Sequence, residues 1–224
     1  MTVILTCSSL KDHVDAAQKA MGTDLPVVVL DRSDHVEPAR MQASVLRAMD
    51  GLVKEYPEDL TVLVSMGFCG GVWHEVSFPC RVVIPRADDC ISIMLATDEE
   101  YIPNRKEAGH LYLYEKDPAD FSALKMLHDG GTAEESYRNM SREDLFRYWF
   151  GNYYAMDIID TGLNPCYEES YVEAAQKEAD AINAQLGYAQ GGNVILGKLV
   201  SGRWDRQFIV AEPGQVIKHS MFFE

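Results

Sequence analysis

Along the first hundred residues, short apolar runs alternate with longer stretches in which apolar positions recur every three or four residues. TVILTC (2–7), LPVVVLD (25–31), TVLVSMG (61–67) and RVVIP (81–85) are continuous, rich in β-branched residues and bounded by polar turns, which predicts buried strands. Between the first two, KDHVDAAQKAMG (11–22) carries Val14, Ala17 and Met21 at helical spacing and stops at Gly22. PARMQASVLRAMDGLVKEY (38–56) is the strongest helix signal. Pro38 suits a first helical position, and Met41, Val45, Leu46, Met49, Leu52 and Val53 form one apolar stripe. This alternation predicts a Rossmann-like α/β fold: an open, mostly parallel sheet with flanking helices and right-handed crossovers.

The pattern changes near residue 109. GHLYLYEKD alternates like a further strand, and residues 119–129 read as helical before a turn at Gly130 and Gly131. SREDLFRYWFGNYYAMDIID (141–160) predicts a helix with a dense aromatic face, opened by a capping box of Ser141 and Asp144. Residues 168–186 predict another amphipathic helix. QGGNVILGKLVSG and RQFIVAEPGQVI predict two late strands joined through Gly202, Arg203, Trp204 and Asp205. No repeat or low-complexity linker interrupts the chain. A single α/β domain over 1–224, with a helical and β C-terminal elaboration, is the expected organisation.

Composition narrows the function classes. A chain of 224 residues buries about 70% of its unfolded surface, so folding requires neither disulfides nor metal. No apolar run reaches the roughly 20 residues of a membrane span. MTVILTCSS lacks the basic and long apolar regions of a signal peptide, so a cytoplasmic location and no membrane association are expected. The net charge of −15 leaves no basic stripe to neutralise phosphates, which argues against nucleic acid as a partner. The acidity reads as a solvated surface or as the complement of a basic partner. Five cysteines, odd in number and widely spaced, argue against a disulfide framework. Of these, Cys80 and Cys166 read as small apolar core residues.

The other three cysteines share a setting. Cys7 ends the first strand, Cys69 follows the third and Cys90 follows the fourth, while His35 follows the second. Residues just beyond the carboxyl ends of an open parallel sheet line its ligand crevice. In SMGFCGG, glycines flank Cys69, which allows close backbone approach to a ligand or a helix start that favours thiolate. A tight turn around a buried Cys is the alternative. In IPRADDC, Arg86 offers a planar fork for an anion, or pairs structurally with Asp88 or Asp89. Cys90 also stands where a buried helix, ISIMLA, would begin. In DRSDHVEP, Asp34 or Glu37 would orient the His35 imidazole for ligation or proton transfer, against a merely solvated loop histidine. Among the remaining histidines, His74, beside Trp73, lies close to Cys69 along the chain.

The stretch YWFGNYYAMD reads as core or interface, with Asp157, Asp160 and Thr161 trailing it; Tyr101 and Tyr154 offer phenolic donors to the crevice. Cys7, Cys69 and Cys90 lack the CxxC spacing of a zinc module, so a metal reading rests on their convergence. Neither VILTCSSLKDH nor GFCGGVWH is a GxGxxG or Walker loop, which argues against NAD, FAD and ATP in their common modes.

HVEPARMQ, SMGFCGG and VVIPRADDCISIMLATDEEY, followed by GHLYLYEKD, resemble the bacterial and archaeal domain-of-unknown-function family 1638. That family shows a Cys after the first strand, a His-x-x-Pro segment before a long helix, a GxCG turn, and PR-x-x-DC with a Tyr downstream. Cys7, His35, Cys69, Gly70, Arg86, Asp89, Cys90 and Tyr101 occupy those positions, and Tyr154 with Asp160, Thr161 and Gly162 is similar to the closing motif. The resemblance covers roughly residues 3–165. Such proteins are often encoded beside corrinoid proteins and their methyltransferases, which implies a place in one-carbon or methyl metabolism and a partner of that kind.

The leading expectation is a metal-binding protein, an enzyme or not, in which Cys7, Cys69 and Cys90 hold Zn²⁺ or iron. His35 would be a fourth ligand or proton donor, and Asp89 would orient a ligand or act as base. Arg86 would grip a small anionic substrate bidentately, with Gly70, Tyr101 and Tyr154 lining its site. The alternatives are a metal-free module that binds a small molecule or a corrinoid side group, and an assembly partner of a methyltransferase system using the aromatic face of 141–160. A homodimer is left open.

Overall fold

β1 (Thr2–Cys7) is buried over all but its first residue, as a central parallel strand must be. In the computed structural model, which describes residues 1–36, 38–114 and 139–224, it is followed by α1 (Lys11–Met21), β2 (Val27–Leu30), α2 (Pro38–Glu55), β3 (Thr61–Val64), β4 (Arg81–Pro85) and α3 (Cys90–Met94). Then come β5 (His110–Leu113), α4 (Arg142–Phe150), β6 (Ala155–Asp160), α5 (Glu169–Ala181) and β7 (Gln185–Gln190). α6 (Val194–Ser201), β8 (Phe208–Ala211) and α7 (Ser220–Phe223) close the chain. The fold is α/β with mostly parallel sheets flanked by helices. It divides into two units, Met1–Arg105 with Asn193–Glu224, and Lys106–Gly192.

The first unit holds a five-stranded sheet of order β2-β1-β3-β4-β8. β1 pairs in parallel with β2 and β3, and β3 with β4; β8 runs antiparallel to β4, with Val82 opposite Ala211 and Pro85 opposite Phe208. Val3, Leu5 and Cys7, with Val62, Val64, Val82 and Ile84, join one core with Met41, Val45, Met49 and Leu52 of α2. The alternate positions Ile4, Leu63 and Val83 are equally buried. Burial on both faces explains why these strands read as unbroken apolar runs. Leu46 lies off the buried stripe of α2, 42% exposed. Gly22 stops α1 in the left-handed conformation its sequence predicts.

The second unit holds a parallel sheet of order β5-β6-β7, with Leu113, Met156 and Ile158 packed on Tyr171, Ala175 and Ala179 of α5. Ser141 caps α4 as the sequence predicts, accepting the Asp144 amide at 3.1 Å. The helix expected over 141–160 is two elements: α4 ends at Phe150, Gly151 and Asn152 turn the chain, and Ala155–Asp160 is a strand. The helix expected over 168–186 likewise stops at Ala181, and Gln185–Gln190 is β7.

The strand expected in QGGNVILGKLVSG is the helix α6. It packs against α1, and six of its eight residues are buried, so it lacks the polar face that marks a helix in sequence. Of the other late strand, Phe208–Ala211 forms. The segment expected as a helix over 119–129, and the turn at 130–131, lie outside the described residues. Lys198 of α6 is 2% exposed. Its ammonium is held by the Asp205 carboxylate, by Gln207 Oε1 at 2.7 Å and by Glu99 Oε1 at 3.5 Å.

Candidate functional site

β1 lies between β2 and β3, so the chain crosses from one side of β1 to the other through α2. That reversal is a topological switch point, where open α/β sheets leave a crevice beyond the strand ends. Cys7 is the last residue of β1 and leads into the 3-10 turn Ser8–Leu10 that runs on into α1. It is 2% exposed. The Ser9 hydroxyl donates to its sulfur at 3.1 Å. His35 sits in the 3-10 turn Arg32–Val36 after β2, which is tied to the same place by the Arg32 amide donating to Ser8 Oγ at 3.0 Å. Burial pushes the Cys7 thiol up, but the adjacent His35 imidazole and the hydroxyl and amide of Ser9 outweigh it, so its pKa falls below the ordinary value. His35 Nε2 is buried and has no hydrogen-bond partner.

Asp34 does not orient this imidazole. Its carboxylate accepts from Arg40 Nε at 2.7 Å and from Ser44 Oγ at 2.6 Å, both on α2. Those bonds, the Ser44 hydroxyl first, hold its pKa below the usual carboxylate range. Glu37, the other carboxylate expected to do so, lies outside the described residues.

After β3 the chain takes three successive residues at positive φ: Cys69 at 48°, Gly70 at 70° and Gly71 at 108°. Gly70 presses on the start of α2, where a Cβ would come 3.3 Å from Pro38 Cγ. Gln42 Nε2 of α2 donates to Val72 O at 3.2 Å. On its other edge this loop runs beside the one after β4: the Phe68 amide donates to Ala87 O at 2.8 Å and the Cys69 amide to Asp88 O at 2.7 Å. The approach is so close that a Cβ on Gly67 would lie 2.6 Å from Ala87 O and 2.8 Å from Asp89 N. Cys90 follows at once as the first residue of α3, the helix start that its run ISIMLA allows.

Asp89 caps α3, accepting the Ser92 amide at 3.0 Å. The Cys69 thiol is pushed well above its ordinary pKa by burial first, then by Cys90, Asp89 and Cys7 around it. The structure thus gathers Cys7, His35, Cys69, Asp89 and Cys90 at one set of strand ends. Among the described residues, no group of three or more His, Cys, Asp or Glu side chains stands ready-made to hold a metal ion.

Arg86 and Tyr101 lie in the same unit with other partners. Arg86 Nε donates to Met221 O at 2.7 Å and Nη1 to Arg206 O at 3.2 Å, while the guanidinium stacks 4.0 Å over the Tyr101 ring. The Tyr101 hydroxyl donates to Phe222 O. Burial raises the Tyr101 pKa against the opposing pull of Arg86. The cavity they line with Ser92, Glu100 and Arg105 measures about 10 Å³, room for a single water.

Tyr154 belongs to the second unit. It is 62% exposed, donates to Ala108 O at 2.9 Å, and lies over Gly109, where a Cβ would meet the ring at 2.2 Å. Asp157 there pairs with His110 Nδ1 at 2.6 Å, and Asp160 accepts the Gly162 amide and the Tyr167 hydroxyl. Cys80 and Cys166 are buried in the two cores, and His74 is exposed.

Two participants escape sequence reasoning. Ser9 has a signal, a hydroxyl two residues past a strand-end Cys at a helix start. The segment His219–Phe223 has none, yet the Phe68 ring beside Cys69 packs on His219, Phe222 and Phe223 at 5.0, 5.1 and 5.4 Å.

Fold and site define an α/β protein with a thiol–imidazole cluster at its topological switch point. The family described as "Protein of unknown function (DUF1638)" matches residues 29–200, and the chain belongs to it. Cys7 precedes the matched stretch and α7 follows it. No curated protein and no solved structure matches. Among the described residues, no helix is long and apolar enough to cross a membrane.

Proposed function

We propose that this chain is a metal-binding protein that takes up Zn²⁺ or iron through Cys7, His35, Cys69 and Cys90 and acts on a small anionic molecule. The observation that carries this reading is the buried His35 Nε2, without a hydrogen-bond partner, beside a thiol whose pKa lies below its ordinary value. A buried nitrogen of this kind calls for a water or an ion. Cys7 is 2% exposed, so a sizeable substrate does not meet its sulfur directly. Cys69 supports the same reading, because a non-glycine residue at φ 48° is strained, and such strain concentrates at functional sites. When bound, a thiolate-rich zinc supplies a Lewis-acidic position for a water or substrate thiol. A role in corrinoid-linked methyl metabolism, with a corrinoid protein or methyltransferase as partner, rests on the family resemblance alone.

Protein purified without a metal-affinity tag and incubated with Zn²⁺ or Fe²⁺ is expected to hold about one equivalent, reduced in Cys7→Ser and Cys69→Ser. Fewer than about 0.2 equivalents, unchanged in Cys69→Ser, would sink the reading. The lack of a ready-made three-donor group among the described residues favours a second reading, a metal-free module in which Arg86 anchors an anion. Inorganic phosphate binding that is equal in Cys69→Ser and wild type but lost in Arg86→Ala would support it.

A further inference from the structure

Residues 214–223 wrap the loop that carries Cys69. The Gly214 amide donates to Phe78 O at 2.7 Å, the Glu75 amide to Ile217 O at 2.8 Å, and the Ile217 amide to Val76 O at 2.8 Å. Past Ile217 the chain reaches the Phe68 ring through His219, Phe222 and Phe223. Phe68 immediately precedes Cys69, which is half-buried, so the strap packs against the residue next to the thiol. Two side-chain bonds then tie the segment down, Arg86 Nε to Met221 O and the Tyr101 hydroxyl to Phe222 O, with the two side chains stacked on each other.

We propose that Arg86 and Tyr101 are the latch of a strap formed by residues 214–223, and that an anion drawing Arg86 off the Met221 carbonyl opens the strap and uncovers the half-buried Cys69 further. The present contact is an exchangeable one. Met221 O and Arg206 O are neutral acceptors that each engage the guanidinium through one nitrogen, whereas a carboxylate or phosphate forms charge-assisted, bidentate bonds about twice as strong. The strap is also short: α7 has four residues, too few to persist as a helix without its packing. Phe222 is fully buried, which keeps the strap shut until Arg86 is engaged elsewhere, and the exposed Lys218 gives it a place to bend. The proposal extends the anion-binding part of the reading above and does not depend on metal uptake.

The test is the rate at which iodoacetamide alkylates Cys69 in metal-free full-length protein, assigned by peptide mass, with and without inorganic phosphate at ionic strength matched by chloride. Tyr101→Phe removes one hydroxyl at constant shape, and Arg86→Met keeps the stem without the fork. Both are expected to speed Cys69 alkylation, Arg86→Met by about tenfold. Phosphate is expected to speed the wild type and to leave Arg86→Met unchanged. Equal rates in all three proteins, or a phosphate effect that persists in Arg86→Met, would overturn the latch. Because the readout is taken without metal, a failure of the metal reading leaves it interpretable.

Discussion

The hydroxyl of Ser9 donates to the sulfur of Cys7, with the Ser9 amide behind it and the His35 imidazole alongside. A thiol whose folded pKa lies below its unfolded value of 9.0 adds stability that is complete above that pH. The gain is lost as pH falls through the folded value. The stability difference between wild type and Cys7→Ala should therefore widen as pH rises toward 9, and Ser9→Ala should narrow the gain. Urea unfolding at a series of pH values checks this; a pH-independent difference would refute it.

Cys69 holds a left-handed backbone that costs a residue with a side chain about 1–2 kcal/mol. Cys69→Gly and Cys69→Ala both remove the thiol, but only glycine relieves the backbone. Cys69→Gly is expected to be the more stable of the two by about 1 kcal/mol, with metal uptake reduced in both. Urea midpoints of the two variants decide the point, and a more stable alanine variant would contradict it.

Asp89 is placed as a helix cap, and a cap and a base respond differently to substitution. Asp89→Asn keeps an acceptor for the Ser92 amide and is expected to unfold near the wild-type midpoint. Asp89→Ala should lose about 1 kcal/mol. A large loss in Asp89→Asn would mean that the negative charge itself holds the loop.

Removing the buried Lys198 ammonium leaves Asp205 and Gln207 without their shared donor. Lys198→Ala is expected to cost about 2–3 kcal/mol, below the full penalty for a broken buried pair because Asp205 is 40% exposed. Thermal unfolding of the variant measures it, and a change within about 0.5 kcal/mol would show that the network adds little.

The positions of the candidate site were legible because strand ends are legible. Continuous apolar runs mark β1 to β4, and the crevice rule places Cys7, His35, Cys69 and Cys90 at their carboxyl ends. What each polar residue does there was not legible. Arg86 and Asp34 satisfy acceptors and donors set by tertiary packing, on Met221 and Ser44, which no local pattern encodes. The second unit was misread for a related reason. A strand after a four-residue break, as at 151–154, continues the apolar spacing of the helix before it. α6 shows the converse, a helix so buried that its sequence imitates a strand.

The latch joins partners 135 and 121 residues apart along the chain. Arg86 and Tyr101 stand on the chain that follows β4 and α3, so while both bonds hold, those stretches and the segment His219–Phe223 cannot shift independently of one another.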